Sequence, residues 1–167
     1  MDPIIEAVLE REGGLTDDSA DRGGLTNWGI TVPFLARYER RDVSPDEIHG
    51  LTRERAGEIY TWFMDVTNIG DIEDEALRGV VFDAAVHHGE SAAIAMLQRA
   101  IHVDDDGVIG PKTLAALEGF DGTVLAVHVC TQRVRLFGRI VVNNPSQAKF
   151  LNGWLNRACA QIEDLIA

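Results

Sequence analysis

DPIIEAVLEREGG, running from Asp2 to Gly14, carries the reading on which the fold turns. An aspartate before a proline is a helix start: the carboxylate caps free amides, and the proline ring has the helical φ built in. Ile4, Ile5, Val8 and Leu9 then recur at helical spacing and Gly13-Gly14 ends the run, which predicts a helix over 3–12. At about 100° per residue, Glu12 projects within about 20° of Ile5 and about 40° of Val8, whereas Glu6 and Glu10 point away. Glu12 is thus the acid of this helix aimed at its apolar side. A carboxyl in such a place is expected to hold its proton more tightly than a free glutamate, as a general acid requires. A partly exposed glutamate at a helix end is the plain alternative.

Outward from that helix, residues 13–31 are rich in Gly, Asp and Thr without a helical period, which predicts a long turn or a small irregular hairpin. Short helices are expected at 32–40 and 44–49, the second opened by Ser44-Pro45 with Glu47 at the capping-box position. Ala56, Ile59, Tyr60 and Phe63 mark a helix over 52–65. Leu77, Val80, Val81, Ala84 and Ala85 mark another that ends at Gly89, and Ala93, Met96, Leu97, Ala100 and Ile101 mark the next. A turn at Asp104 to Gly107 precedes a short helix from Gly110-Pro111 to Gly119. A long helix over 122–142 is broken by Asn143-Asn144-Pro145, and a final one shows Leu151, Trp154, Leu155, Ala158, Cys159, Ile162, Leu165 and Ile166 on one stripe. The fold class is all-α (mainly α), with a small glycine-rich loop or β-hairpin near the N-terminus.

The 167 residues suit one domain with a sizeable core. We expect a single domain over 1–167, in which 1–75 carries the first helix and its loop and 76–167 forms a helical lobe. The net charge of −12 speaks against a nucleic-acid partner. Residues 1–77 hold 7 basic and 18 acidic side chains, while residues 122–162 contain no acid and carry Arg133, Arg135, Arg139, Lys149 and Arg157. That basic region either balances the acidic half or meets an anionic polymer. Cys130 and Cys159 are expected to be reduced, buried thiols, and neither they nor the His87-His88 pair forms a metal site. No organic cofactor is implied either. The N-terminus lacks the basic and apolar regions of a signal peptide, so a cytoplasmic origin is expected.

The glycine-rich loop is where chemistry collects. Its glycines allow backbone to approach a ligand closely, and Asp21 with the hydroxyls of Thr26 and Thr31 would then face Glu12 across a small cleft. Two carboxyl groups flanking a sugar linkage form the usual glycosidase arrangement. Asp21 reads equally as a loop-capping residue. Trp28 is the tryptophan within the loop and hence the best sugar-stacking platform, whereas Trp154 sits in a regular apolar stripe and reads as core.

The run EGGLTDDSADRGGLTNWGIT, residues 12–31, resembles the N-terminal signature of the glycoside hydrolase family 108 N-acetylmuramidases, lysozymes of peptidoglycan that include phage endolysins. The resemblance continues through LTRERAGEIYTWFMD, FDAAVHHG, MLQRAI, DGVIGPKTLAAL and FLNGWLNRA, in family order over nearly the whole chain. It implies a lysozyme-like helical fold. It also implies Glu12 as the essential catalytic residue, with Asp21 and Thr26 completing the set. The family commonly has Asn at the position of His87, where that side chain lines the cleft; an interior histidine is the other reading of His87. The C-terminal part resembles a peptidoglycan-binding module.

The resemblance thus implies hydrolysis of the β-1,4 bond between N-acetylmuramic acid and N-acetylglucosamine. Catalytic roles fall to Glu12, Asp21 and Thr26, and substrate contacts to Trp28, Thr31 and His87. A lytic transglycosylase and a non-catalytic wall-binding module are the alternatives. A phage-type setting further implies a monomer that waits in the host cytoplasm until a holin lesion admits it to the wall.

Overall fold

The computed structural model describes residues 1–18 and 24–166, the side chains of Asp17 and Asp18 excepted; Asp21, within 19–23, lies outside the described residues. The fold is mainly α, in two compact units, Met1–Val66 and Thr67–Ala167.

In the first unit the Asp2 carboxylate accepts from the Ile4 amide at 2.7 Å and starts α1, Pro3–Glu12. Ile5, Val8 and Leu9 are buried on one face of α1. Gly13, at a φ of 66°, ends the helix while its amide still reaches the Leu9 carbonyl at 3.2 Å; that backbone conformation favours glycine. The chain continues into an antiparallel sheet of β1, Thr16–Asp18, β2, Gly24–Asn27, and β3, Ile30–Thr31, in that order. Thr26 of the central strand pairs with Thr16 on one side and Thr31 on the other. The β2–β3 connection is two residues long, Trp28 and Gly29, with φ of 55° and 75°. Positive φ at both central positions is the primed hairpin turn whose twist suits antiparallel strands.

The chain passes directly from β3 into α2, Val32–Glu39, and then through two short connections into α3, Pro45–His49, and α4, Arg53–Val66. Each has a side chain at its entry. The Thr31 hydroxyl oxygen accepts from Phe34 N at 3.2 Å, Glu47 accepts from Ser44 N at 2.8 Å, and Thr52 accepts from Arg55 N at 3.2 Å. Helix α4 lays Ala56, Ile59, Tyr60 and Phe63 into the core, packs against α1, and is tied to it by an Arg53–Glu6 ion pair.

The second unit consists of α5, Glu75–His88, α6, Glu90–Ala100, α7, Pro111–Leu117, α8, Gly122–Asn143, and α9, Ala148–Ile166. Helix α5 packs against both α6 and α8, and α8 against α9. The segment between α6 and α7 is organised by one buried amide, that of Gln98. Its Nε2 donates to Asp106 Oδ1 at 2.7 Å and to the Val108 carbonyl at 3.0 Å, and its Oε1 accepts from Gly107 N at 2.8 Å. The DGVIGPKT stretch is therefore a hydrogen-bonded helix connection. Cys130 is buried as expected but Cys159 is exposed. About 100° of helical rotation separates Cys159 from the buried Ala158, enough to carry the thiol off the packed stripe.

Candidate active site

Three elements of the first unit converge on Glu12. It is the last residue of α1 and half-buried, with Oε1 shielded from solvent. The wall beside it is the backbone of Gly29. A Cβ built on Gly29 would stand 2.8 Å from both Cγ and Oε2 of Glu12 and 2.7 Å from the Tyr60 hydroxyl, closer than side chains pack. Gly29 is thus fixed twice, by its φ of 75° and by the lack of space. Gly29→Ala is expected to destabilise the fold by about 2–4 kcal/mol, the sum of a left-handed alanine and an overpacked site, and to displace the Glu12 carboxyl. Thermal unfolding beside a glycan-cleavage assay checks this; an alanine variant with normal melting and normal rate would show that Gly29 does not confine Glu12.

Around that glycine the turn is held rigidly. Tyr60, wholly buried on α4, donates its hydroxyl to the Trp28 carbonyl at 2.8 Å. The Trp28 indole N–H reaches the Leu51 carbonyl at 3.3 Å, and the buried Asn27 amide donates to Ile48 O at 2.9 Å and Leu51 O at 3.2 Å. A bulky residue such as Trp28 is strained at positive φ, and these bonds keep it there. The residue as a whole remains partly accessible to solvent. Thr26 and Thr31 stand paired across β2 and β3, and the Thr31 oxygen, though spent on the α2 cap, leaves its O–H as a donor. Tyr60 and Gly29 are contributions that sequence reasoning did not single out. The available signal was the phenol itself, whose polar tip must find a partner on the apolar stripe of α4.

His87 belongs to the second unit, at the end of α5, where it adjoins a buried charge cluster. Asp83 and Arg133 are fully buried and 2.9 Å apart, and Arg157 binds the same carboxylate at 2.7 Å. Arg133 also donates to Gln161 Oε1 and lies 3.4 Å from His87 Nδ1. Since a guanidinium has donors alone, His87 Nδ1 accepts there. Burial, reinforced by the Arg157 and Arg133 charges, holds the His87 imidazole down to about 3; His88 is lowered likewise, by burial and then by its neighbour His87. Both rings are therefore neutral near neutrality, packed with Phe137, and His87 also lies against Trp154. Arg133 corrects the reading of an exposed basic region, because its charge is turned inward to Asp83.

Glu12 thus stands against the Gly29 backbone with one carboxyl oxygen shielded from water. Comparison with known proteins agrees with a glycosidase. Residues 5–89 match the family described as glycosyl hydrolase 108. The chain belongs to glycosyl hydrolase family 108. Membership makes it a glycosidase of the peptidoglycan-hydrolase type, muramidase-like in class. Residues 92–159 match a second family, described as a predicted peptidoglycan domain. The solved structure of SagA from Brucella abortus is similar to this family 108 chain at 32% identity, over 97% of this chain and 91% of that one, with a TM-score of 0.86. No curated protein matches the chain. The lysozyme-like, mainly α character expected from the resemblance is thereby shown.

Proposed function

We propose that this family 108 enzyme is an N-acetylmuramidase, hydrolysing the β-1,4 bond between N-acetylmuramic acid and N-acetylglucosamine. What carries the reading is the confinement of the Glu12 carboxyl by Gly29 and Tyr60. Glu12 gives its proton to the leaving glycosidic oxygen, which makes an alkoxide departure unnecessary. Asp21 positions the attacking water or stabilises positive charge on the sugar, and Thr26 holds that water or Asp21. Trp28, with its indole N–H already engaged and the residue partly accessible, stacks on a sugar ring. Thr31 donates its O–H to the glycan. The enzyme acts as a monomer, in phage-type host lysis, and passes from the host cytoplasm to the wall through a holin lesion.

The experiment is product analysis on purified sacculi. Mass spectrometry should find reducing N-acetylmuramic acid ends that carry one added water per cleavage. Anhydro-muramic ends would overturn hydrolysis in favour of a lytic transglycosylase, and reducing N-acetylglucosamine ends would overturn the choice of bond. Absence of any cleavage would leave a wall-binding module.

A further inference from the structure

A depression of about 450 Å³ lies in the second unit, between the end of α6 and the middle of α8. Arg99 and His102 line it from the end of α6 and the turn after it, and His128, Thr131, Gln132 and Arg135 from α8. Positions 128, 131, 132 and 135 fall on one helical face, so a single stripe of α8 supplies most of the lining. The chain is acidic at −12, yet four of these side chains are cations or imidazoles.

Several of the groups are unspent. Arg99 is paired with Asp105 at 2.6 Å on the rim, and Thr131 donates its hydroxyl to the Val127 carbonyl at 2.9 Å. Arg135, His102, His128 and the Gln132 amide make no side-chain hydrogen bond or ion pair among the described residues. Nor do they serve to complete the end of α6. Its last carbonyls are taken by turn amides, Leu97 by Ile101 N at 3.1 Å, Gln98 by Val103 N at 3.1 Å and Arg99 by His102 N at 3.4 Å. Donors in a concave site with no protein acceptor are complementary to an anion with several oxygens.

We propose that this depression binds the carboxylates of a peptidoglycan stem peptide, as a subsite separate from the groups around Glu12. The assignment rests on the peptidoglycan reading above. Within that reading, carboxylates of the stem peptide are the anions attached to the glycan at each muramic acid. Arg135 forms the planar two-point contact with a carboxylate, and His128 and Gln132 supply single donors from the same face of α8. The basic α8 stripe then has a use that does not involve its buried neighbour Arg133.

The test uses the full chain with Glu12→Gln, so that ligand survives, and follows the His102 and His128 ring signals by NMR. The probes are a disaccharide-tetrapeptide, the same disaccharide without peptide and with its lactyl carboxyl amidated, and inorganic phosphate. The tetrapeptide should shift both rings saturably, the bare disaccharide should not, and phosphate should need far higher concentration. Adding Arg135→Gln and His128→Gln should weaken tetrapeptide binding at least about tenfold, the loss of one charge-assisted bond, and Arg135→Lys should fall between. Equal binding of the disaccharide, equal binding of phosphate, or an affinity unmoved by the double change would each overturn the proposal. Turnover of peptide-free glycan strands by the otherwise native enzyme, with and without the double change, is read separately and should be the same. If the native chain cleaves no glycan, the muramidase reading fails while the binding result stands on its own.

Discussion

Glu12→Gln is expected to lower glycan cleavage by about 10²–10⁴-fold with little change in melting temperature, the usual contribution of a positioned proton donor. In barrier terms that is about 3–5 kcal/mol. The fold should tolerate the change because glutamine keeps the Cγ that rests against Gly29 and fills the same space. What it loses is the acidic proton. Glu10→Gln is the matched control: it sits on the same helix, one turn's fraction away, and is exposed. Steady-state rates on solubilised peptidoglycan with circular dichroism on each variant separate the outcomes. A Glu12→Gln enzyme within a few-fold of native would remove Glu12 from the chemistry. Equal losses for both variants would point to helix charge rather than to a placed acid.

Glu12 was legible because helical geometry acts over neighbours alone: seven residues are close to two full turns, so Ile5 and Glu12 share a face whatever surrounds them. The same locality made the helices readable, from the Asp2-Pro3 start of α1 to the break before Pro145. It fails where the partner is distant in sequence. Nothing near Gly29 says that a phenol 31 residues later will press on its backbone, nor that Tyr60 will hold the Trp28 carbonyl. The register of strands as short as β3 is likewise set by the turn and by Asn27, which reaches Ile48 and Leu51. Arg133 had a local signal that charge counting concealed. Ala126, Val129, Cys130 and Phe137 are buried at helical spacing around it, so a cation at that position had to face inward and find an acid. Asp83, set among Phe82, Ala84 and Ala85 on α5, is the other half of the same clue.

That pair yields the largest expected effect on stability. Asp83→Asn should destabilise the protein by about 3–5 kcal/mol, the typical result of removing one partner from a buried ion pair. Asparagine matches aspartate in size, so packing loss contributes little. The loss is electrostatic: Asp83 is the carboxylate that holds both Arg133, fully buried, and Arg157, mostly buried. Burial already pushes the Arg133 guanidinium below its ordinary value, and the Asp83 charge opposes that push. With the carboxylate gone, two cations face each other, and the neutral acceptors Gln161 and His87 beside Arg133 supply dipoles in place of a charge. Urea unfolding should show a lower midpoint at an unchanged slope, since the surface exposed on unfolding is the same. A second variant distinguishes an orphaned charge from a general intolerance of the site. Combining Asp83→Asn with Arg133→Leu removes the more deeply buried cation together with its partner, and apolar replacement of buried pairs is often neutral. The double variant should therefore be more stable than Asp83→Asn alone. If it were instead less stable by the sum of both single losses, the cluster would owe its effect to shape, and the inward turn of Arg133 would need another cause.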